Sequence, residues 1–140
     1  MTNIGANAFD GCSALKKVSI PSLSDWLEIT FENYLSNPVA QSNALYVGEE
    51  LVTALEISSN VNAYAFYGAT TITSLEIKEG VEAIGADAFH GCTALISVKL
   101  PASLKSVGAR AFFGCDEISD VVIPNPENVD FADKFADPRN

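Results

Sequence analysis

Apolar and polar residues alternate at the end of a motif that recurs along the chain. The segments that carry it are IGANAFDGCSALKKVSIP (residues 4–21), NAYAFYGATTITSLEIK (62–78), IGADAFHGCTALISVKLP (84–101) and VGARAFFGCDEISDVVIP (107–124). The last apolar residues of each segment are two positions apart, which is the period of a strand with one buried face. A proline follows the strand in three of the four segments. The pattern predicts four short strands, each ended by a turn.

The spacing of the motif predicts a stack of equivalent units. Its Ala-Phe pairs end at Phe9, Phe66, Phe89 and Phe112, so the last three recur at a constant interval, and the first gap is longer than two such intervals. Apolar residues recur in columns behind each Phe: Leu15, Ile72, Leu95 and Ile118; Val18, Leu75, Val98 and Val121; Ile20, Ile77, Leu100 and Ile123. A single unit cannot bury its apolar face, whereas stacked units form a continuous core. We therefore expect a solenoid in which one unit is enlarged by an insertion.

The unit LxxVxIPxxLxxIGxxAFxGC, which runs here from Leu95 to Cys115, closely resembles the leucine-rich repeats of the BspA-like family. The resemblance covers nearly the whole chain and implies a leucine-rich repeat solenoid, mainly β with short helical turns, in a right-handed coil with a concave parallel sheet. It also implies a secreted or cell-surface bacterial protein, because related proteins are typically secreted or displayed on cell surfaces, and several of them are adhesins. The family has no shared catalytic motif. This chain departs from the pattern at Ala69, which replaces the cysteine, and in the enlarged unit.

These patterns predict one domain over residues 1–140, with the enlarged unit at about 22–58. Within that unit, residues 44–57 read as a hairpin around Gly48 that continues the sheet through Leu55 and Ile57. At the other end, Phe131 and Phe135 are four positions apart, as on one face of a short helix. We expect this segment, 125–140, to cap the last coil, with partner binding as the alternative.

The net charge of −10 and the isoelectric point near 4.3 oppose binding to nucleic acid or to an acidic membrane surface. No apolar run approaches the roughly 20 residues that span a bilayer, and the first residues do not resemble a signal peptide. We expect no direct membrane insertion. The extracellular location rests on the family resemblance alone.

His90 and Cys92 raise the question of a reactive or metal site. His90 shares its column with Asp10, Tyr67 and Phe113, which indicates a surface position without shared chemistry. Cys92 and Cys115 are one unit apart, and the chain has a single histidine, so the sequence does not provide a zinc ligand set. A Cys92–Cys115 disulfide between neighbouring coils stays open as an alternative to free buried thiols. We expect no enzyme activity, no metal and no cofactor.

Candidate partner-binding residues lie in the enlarged unit and on the sheet: Trp26, Tyr34, Tyr46, Glu76 and Lys99. Exposed aromatic residues on loops of rigid scaffolds are frequent binding hot spots. The alternative for the enlarged unit is that Trp26, Leu27, Phe31 and Leu35 form a small core of their own. For the sheet, the alternative is a solvated face without a partner.

No polar cap precedes Ile4, which predicts weak self-association through the first coil. The leading interpretation is a non-enzymatic interaction or adhesion module that binds a protein or glycan partner on a host or bacterial surface. A passive structural spacer within a larger surface protein is the alternative.

Overall fold

The computed structural model describes residues 2–124, which form a β-solenoid of about five turns. Its strands are β1 (Asn3–Ile4), β2 (Val18–Ile20), β3 (Thr30–Phe31), β4 (Leu45–Val47), β5 (Glu50–Leu51), β6 (Ala54–Ile57), β7 (Ser74–Ile77), β8 (Ala83–Ile84), β9 (Ser97–Lys99), β10 (Ser106–Val107) and β11 (Asp120–Val122). The helices are α1 (Leu23–Leu27), α2 (Val39–Ser42) and a 3₁₀ turn (Tyr34–Ser36). The predicted leucine-rich repeat solenoid is confirmed.

Strands from successive units pair in parallel, as stacking requires. The main sheet has the order β11-β9-β7-β6, and its register aligns Leu55, Leu75, Val98 and Val121. A second sheet, the N-terminal sheet, joins β2 to β4 in parallel and β4 to β5 in antiparallel. On the other side of the coils, β1 pairs with β3 and β8 with β10. The chain therefore alternates between a longer and a shorter strand in each turn.

The core is built from the predicted columns. Phe66, Phe89 and Phe112 are fully buried, and neighbouring rings stack with centroids 5.3 Å apart and planes within 8° of parallel. Such ring pairs add stability beyond the area that they bury. The expectation that these side chains occupy equivalent interior positions is confirmed.

Glycine after the short strand permits the close approach of neighbouring units. A Cβ on Gly85 would overlap the backbone of Ala63, and a Cβ on Gly108 would overlap that of Ala86. Gly5 holds the same position in the first unit, where nothing lies within 4 Å of such a Cβ. The glycine of the IGxxAF motif is therefore needed only where a preceding coil is present.

The additional residues lie at two places in and around residues 22–58, the range predicted for the enlarged unit. Ile4 pairs with Phe31 and Val18 pairs with Leu45, and both pairs are further apart along the chain than Val98 and Val121, which pair between regular units. The first part of the insertion therefore lies before β3, where α1 is added. The second part lies between Leu45 and Val61, where β5 folds back on β4.

The hairpin around Gly48 is present but shorter than predicted. Gly48 has a φ of +59° and connects β4 to β5, which contains only two residues. Leu55 and Ile57 lie on the separate strand β6, which pairs with β7 and begins the main sheet. They continue the solenoid, but not as the second strand of the hairpin. The cap predicted from Phe131 and Phe135 falls outside the described residues.

Candidate binding faces

Two rows of side chains point outward from the main sheet. Because successive residues of a strand face opposite sides, the residues between the core positions face solvent and are exposed or half-buried. The first row is Ala54, Ser74, Ser97 and Asp120, and the second row is Glu56, Glu76, Lys99 and Val122. The structure thus brings the predicted residues Glu76 and Lys99 side by side.

The second row carries a linked set of charges. Lys78 Nζ lies 3.4 Å from a Glu76 carboxylate oxygen and 3.9 Å from one of Glu56, and Lys99 Nζ lies 3.6 Å from the other oxygen of Glu76. The Glu76 side chain is 33% exposed and that of Lys99 is 63% exposed. Exposed ion pairs of this kind contribute little to stability. Their charged groups remain accessible to a partner.

The rows border a shallow open groove of about 300 Å³ over the main sheet. Ser74 and Ser97 leave its centre low, while Glu56, Glu76 and Lys99 provide charged groups along one side. Small-molecule sites are usually concave enough to bury most of their ligand. An open groove across four strands fits an extended surface of a macromolecule better.

Tyr46 lies on the N-terminal sheet, away from this groove. It is half-buried, and Lys17 Nζ lies 4.5 Å from the centre of its ring. Lys17 also pairs with Glu49 at 3.4 Å. Tyr46 is therefore held in a small surface cluster of its own.

The structure places Trp26 in the core, so its predicted exposure is wrong. Its side chain is 3% exposed, and its ring centroid lies 5.2 Å from that of Phe31. The alternative of a small core in the enlarged unit is the one observed for Trp26, Leu27 and Phe31, while Leu35 is half-buried.

The indole of Trp26 also completes a ladder of hydrogen bonds between units. In the regular units, Phe66 and Phe89 N–H groups donate to Ala88 and Ala111 carbonyls at 2.8 Å. The equivalent carbonyl of Ala65 instead accepts from Trp26 Nε1 at 2.8 Å and from Asn37 Nδ2 at 3.0 Å. Two side chains therefore replace a backbone donor, and they stabilise the fold because a buried carbonyl without a donor is costly.

Tyr34 belongs to a stack of rings along one edge of the solenoid, here called the aromatic edge. The stack is Tyr34, Tyr67, His90 and Phe113, and successive ring centroids are 5.0, 4.5 and 4.9 Å apart. Tyr34 is 44% exposed, whereas the other three are half-buried. His90 is thus part of a shared stack, which corrects the view that its column has nothing in common.

A buried carboxylate supports the middle of the aromatic edge. Asp87 has a 5% exposed side chain, and its Oδ1 lies 2.8 Å from His90 Nδ1. Arg110 donates to it from the next unit at 3.2 and 3.3 Å. The hydrogen bond to Asp87 raises the pKa of Arg110, while burial and then the charge of Asp87 raise the pKa of Tyr67 above 10.0.

Sequence reasoning could have found this edge from three successive units. Tyr67, His90 and Phe113 are all planar rings at a constant spacing. Asp10 obscured the pattern, because the structure places Tyr34, and not Asp10, next to Tyr67. A search that compared neighbouring units only would have predicted a stack.

Two of the three cysteines are buried thiols with backbone hydrogen-bond partners. Cys92 and Cys115 are buried, and each thiol donates to a Phe carbonyl one unit earlier, at 3.4 and 3.1 Å. Hydrogen bonding with Cys115, followed by burial, raises the pKa of Cys92 well above its ordinary value. Both are free thiols in the structure, and Cys12 is free and exposed. A raised pKa disfavours the thiolate and therefore reactivity.

Within residues 2–124, no cluster of three or more His, Cys, Asp or Glu side chains is placed to hold a metal ion. No helix in the same part of the chain has the length and apolar character needed to cross a membrane.

Parallel strands stacked over interior columns of Phe, Leu and Val define a leucine-rich repeat solenoid. The chain belongs to the BspA type leucine-rich repeat region family, whose model matches six copies over residues 1–51 and 59–136. A solved leucine-rich repeat protein from Bacteroides ovatus matches at 23% identity with a TM-score of 0.49. That match covers 92% of this chain and 32% of the other, so the chain spans about a third of that protein. The search of curated proteins found no match to this chain.

Proposed function

We propose that this chain is a non-enzymatic binding module of a secreted or cell-surface bacterial protein, and that it binds a protein or glycan partner through the main sheet. Leucine-rich repeats of this family are interaction or repeat modules, and the family is commonly associated with bacterial surfaces. The observation that carries the proposal is the row of accessible charges formed by Glu56, Glu76 and Lys99. Adhesion to a host or bacterial surface is the role that this face would serve.

The shape and chemistry of the groove support a macromolecular partner. The groove is open and crosses several strands, so the contact area extends with the number of units. Its ion pairs join exposed lysines to the half-buried Glu76, and a partner can replace one member of such a solvent-accessible pair at little cost. Charged rims of this kind set specificity and association rate more than affinity.

The experiment is a binding screen of the 140-residue chain against arrays of immobilised extracellular-matrix proteins and of glycans. Any partner found is then measured by biolayer interferometry against Lys99→Glu and Glu76→Lys. The matched control is Lys105→Glu, which makes the same charge change at an exposed site that pairs with Glu82 instead. We expect the two sheet variants to weaken binding about tenfold or more, and the control to leave it unchanged.

Each result has a defined reading. Binding that Lys99→Glu and Lys105→Glu reduce equally would reject the main sheet as the binding face. Reproducible absence of binding on both arrays would reject the role of a binding module and favour that of a passive spacer. Turnover of any substrate that disappears in His90→Ala would contradict the non-enzymatic role.

A further inference from the structure

The row of paired strands is interrupted inside the solenoid, between β5 and β6. β5 ends the N-terminal sheet and β6 ends the main sheet, although only residues 52–53 separate the two strands along the chain. Units of the solenoid lie on both sides of this interruption. The outer side of β6 (Ala54–Ile57), here called the β6 edge, has no ladder partner within residues 2–124. An unpaired edge is a template for pairing with another strand.

The β6 edge exposes the backbone groups of two residues. The carbonyls of Thr53 and Ile57 accept hydrogen bonds from the β7 side at 2.7 and 2.8 Å. Successive residues of a parallel strand direct their backbone groups to opposite neighbours. The N–H and C=O groups of Ala54 and Glu56 therefore point away from β7. Both residues are exposed, so another strand can reach this edge.

Acidic side chains lie on both strands that border the interruption. Glu50 is exposed on β5 and forms no ion pair in the part of the chain that the structure describes. Glu56 on β6 has a side chain that is 72% exposed, and its ion pair with Lys78 is long, at 3.9 Å. The chain as a whole has a net charge of −10. These charges favour a basic segment at this edge.

An apolar depression lies beside the end of β6. It has a volume of about 260 Å³ and is lined by Leu23 and Leu27 of α1 and by Ser58 and Ser59, which follow β6. Glu56 also borders it. Side chains of an extended strand alternate between two faces. A strand added to β6 can therefore direct apolar side chains toward the two leucines and basic side chains toward solvent, next to Glu56.

We propose that the β6 edge binds an extended peptide segment of a partner protein as an added strand, and that basic and apolar residues alternate in this segment. Backbone hydrogen bonds to Ala54 and Glu56 provide the affinity, whereas the acidic groups and the depression select the sequence. This inference goes beyond the proposed function, because it uses the edge of the sheet and not its face. A second copy of the chain is a poorer occupant, since its net charge of −10 is repelled by an acidic edge.

The test measures the binding of three labelled synthetic peptides to the 140-residue chain by fluorescence polarisation. The first peptide has about eight residues, the length of a long strand, in which Lys and Val alternate. The second has the same composition, with the lysines and the valines in separate blocks. The third has Glu in place of each Lys. We expect the alternating basic peptide to bind about tenfold more tightly than either of the others.

Two matched pairs of variants assign the binding to the β6 edge. Ala54→Pro removes the outward N–H, whereas Ala54→Val keeps it, and only the proline variant is expected to weaken binding, by about tenfold. Glu56→Gln is expected to weaken binding about threefold, whereas Glu82→Gln makes the same change at an exposed site that pairs with Lys105 and should have no effect. Circular dichroism checks that each variant is folded. The second pair keeps the proposal testable if Ala54→Pro does not fold.

Three results would overturn the proposal. The first is equal affinity for the alternating and the block peptide. The second is an equal effect of Ala54→Pro and Ala54→Val on binding. The third is a dimer in sedimentation velocity that Ala54→Pro dissociates, with no peptide binding, because it would assign the edge to a second copy. A negative result for Lys99→Glu in the array screen would not affect the proposal, since Lys99 lies on β9, two strands away from β6.

Discussion

Truncation of Phe89 tests the stacked interior most directly. Its side chain is 0% exposed, and rings lie 5.3 Å away on both sides, from Phe66 and from Phe112. Removal of a fully buried Phe side chain destabilises a protein by about 3–5 kcal/mol, because apolar area is lost and a cavity remains. We expect Phe89→Ala to fall in this range, with the two ring contacts placing it in the upper half.

Phe9 provides a matched control in the same motif position. It is half-buried in the first unit, and no stacked ring lies against it in the described part of the chain. Phe9→Ala therefore loses less burial and leaves no enclosed cavity, so we expect about 1–2 kcal/mol. The difference between the two variants isolates the contribution of stacking between units.

The assay is urea unfolding followed by circular dichroism and by the fluorescence of Trp26, the single tryptophan of the chain. Coincident transitions from the two probes justify a free energy of unfolding. Phe89→Leu serves as a second variant if the alanine variant does not fold, with an expected loss of about 1–2 kcal/mol. Equal losses for Phe89→Ala and Phe9→Ala, or a loss for the former far below the range of about 3–5 kcal/mol, would refute the stacked core.

Three further experiments have expected outcomes. Gly108→Ala places a Cβ against the backbone of Ala86 and should lower the free energy of unfolding by about 2 kcal/mol or more. Gly5→Ala is the control and should change that free energy by less than about 0.5 kcal/mol. Both are measured by urea unfolding. Trp26→Phe removes the indole donor and should destabilise by about 1–3 kcal/mol, with the extent of partner binding unchanged. Burial raises the pKa of Tyr67, so its ionisation should give a high-pH phase in a spectrophotometric titration, and the stability that the neutral ring contributes should be lost as the pH rises above 10.0. A high-pH phase that persists in Tyr67→Phe would contradict this.

Spacing predicted the interior of the solenoid because the fold repeats the same contact in each unit. Phe66, Phe89 and Phe112 must recur at a constant interval if each ring packs against the next, so their columns were readable from residues alone. The sequence did not reveal that the additional residues are divided between two places. It depends on where β3 and β4 pair, and that part of the chain keeps neither the Phe nor the Gly of the motif.

Trp26 shows why the candidate binding residues were predicted less well than the core. A tryptophan in an irregular segment is typical both of a binding hot spot and of a side chain that fills a local hydrophobic core. The deciding contact is the hydrogen bond to Ala65, which is distant along the chain and which the local pattern does not reveal. Glu76 and Lys99, in contrast, follow directly from strand alternation and unit spacing, so their adjacency was predictable.

Contacts between neighbouring units hold both the aromatic edge and the turn beside it in place. Tyr64, Asp87 and Arg110 occupy equivalent positions with φ between +57° and +65°, a conformation that costs about 1–2 kcal/mol for residues other than glycine. Backbone bonds to the next unit hold the first two of these residues in place, since Tyr64 N–H and Asp87 N–H each donate at 3.1 Å. Contacts between units therefore offset the strain of this turn, whose side chains differ from unit to unit. In this solenoid the repeat sets the positions of the surface groups, and the residues at those positions are free to differ from unit to unit.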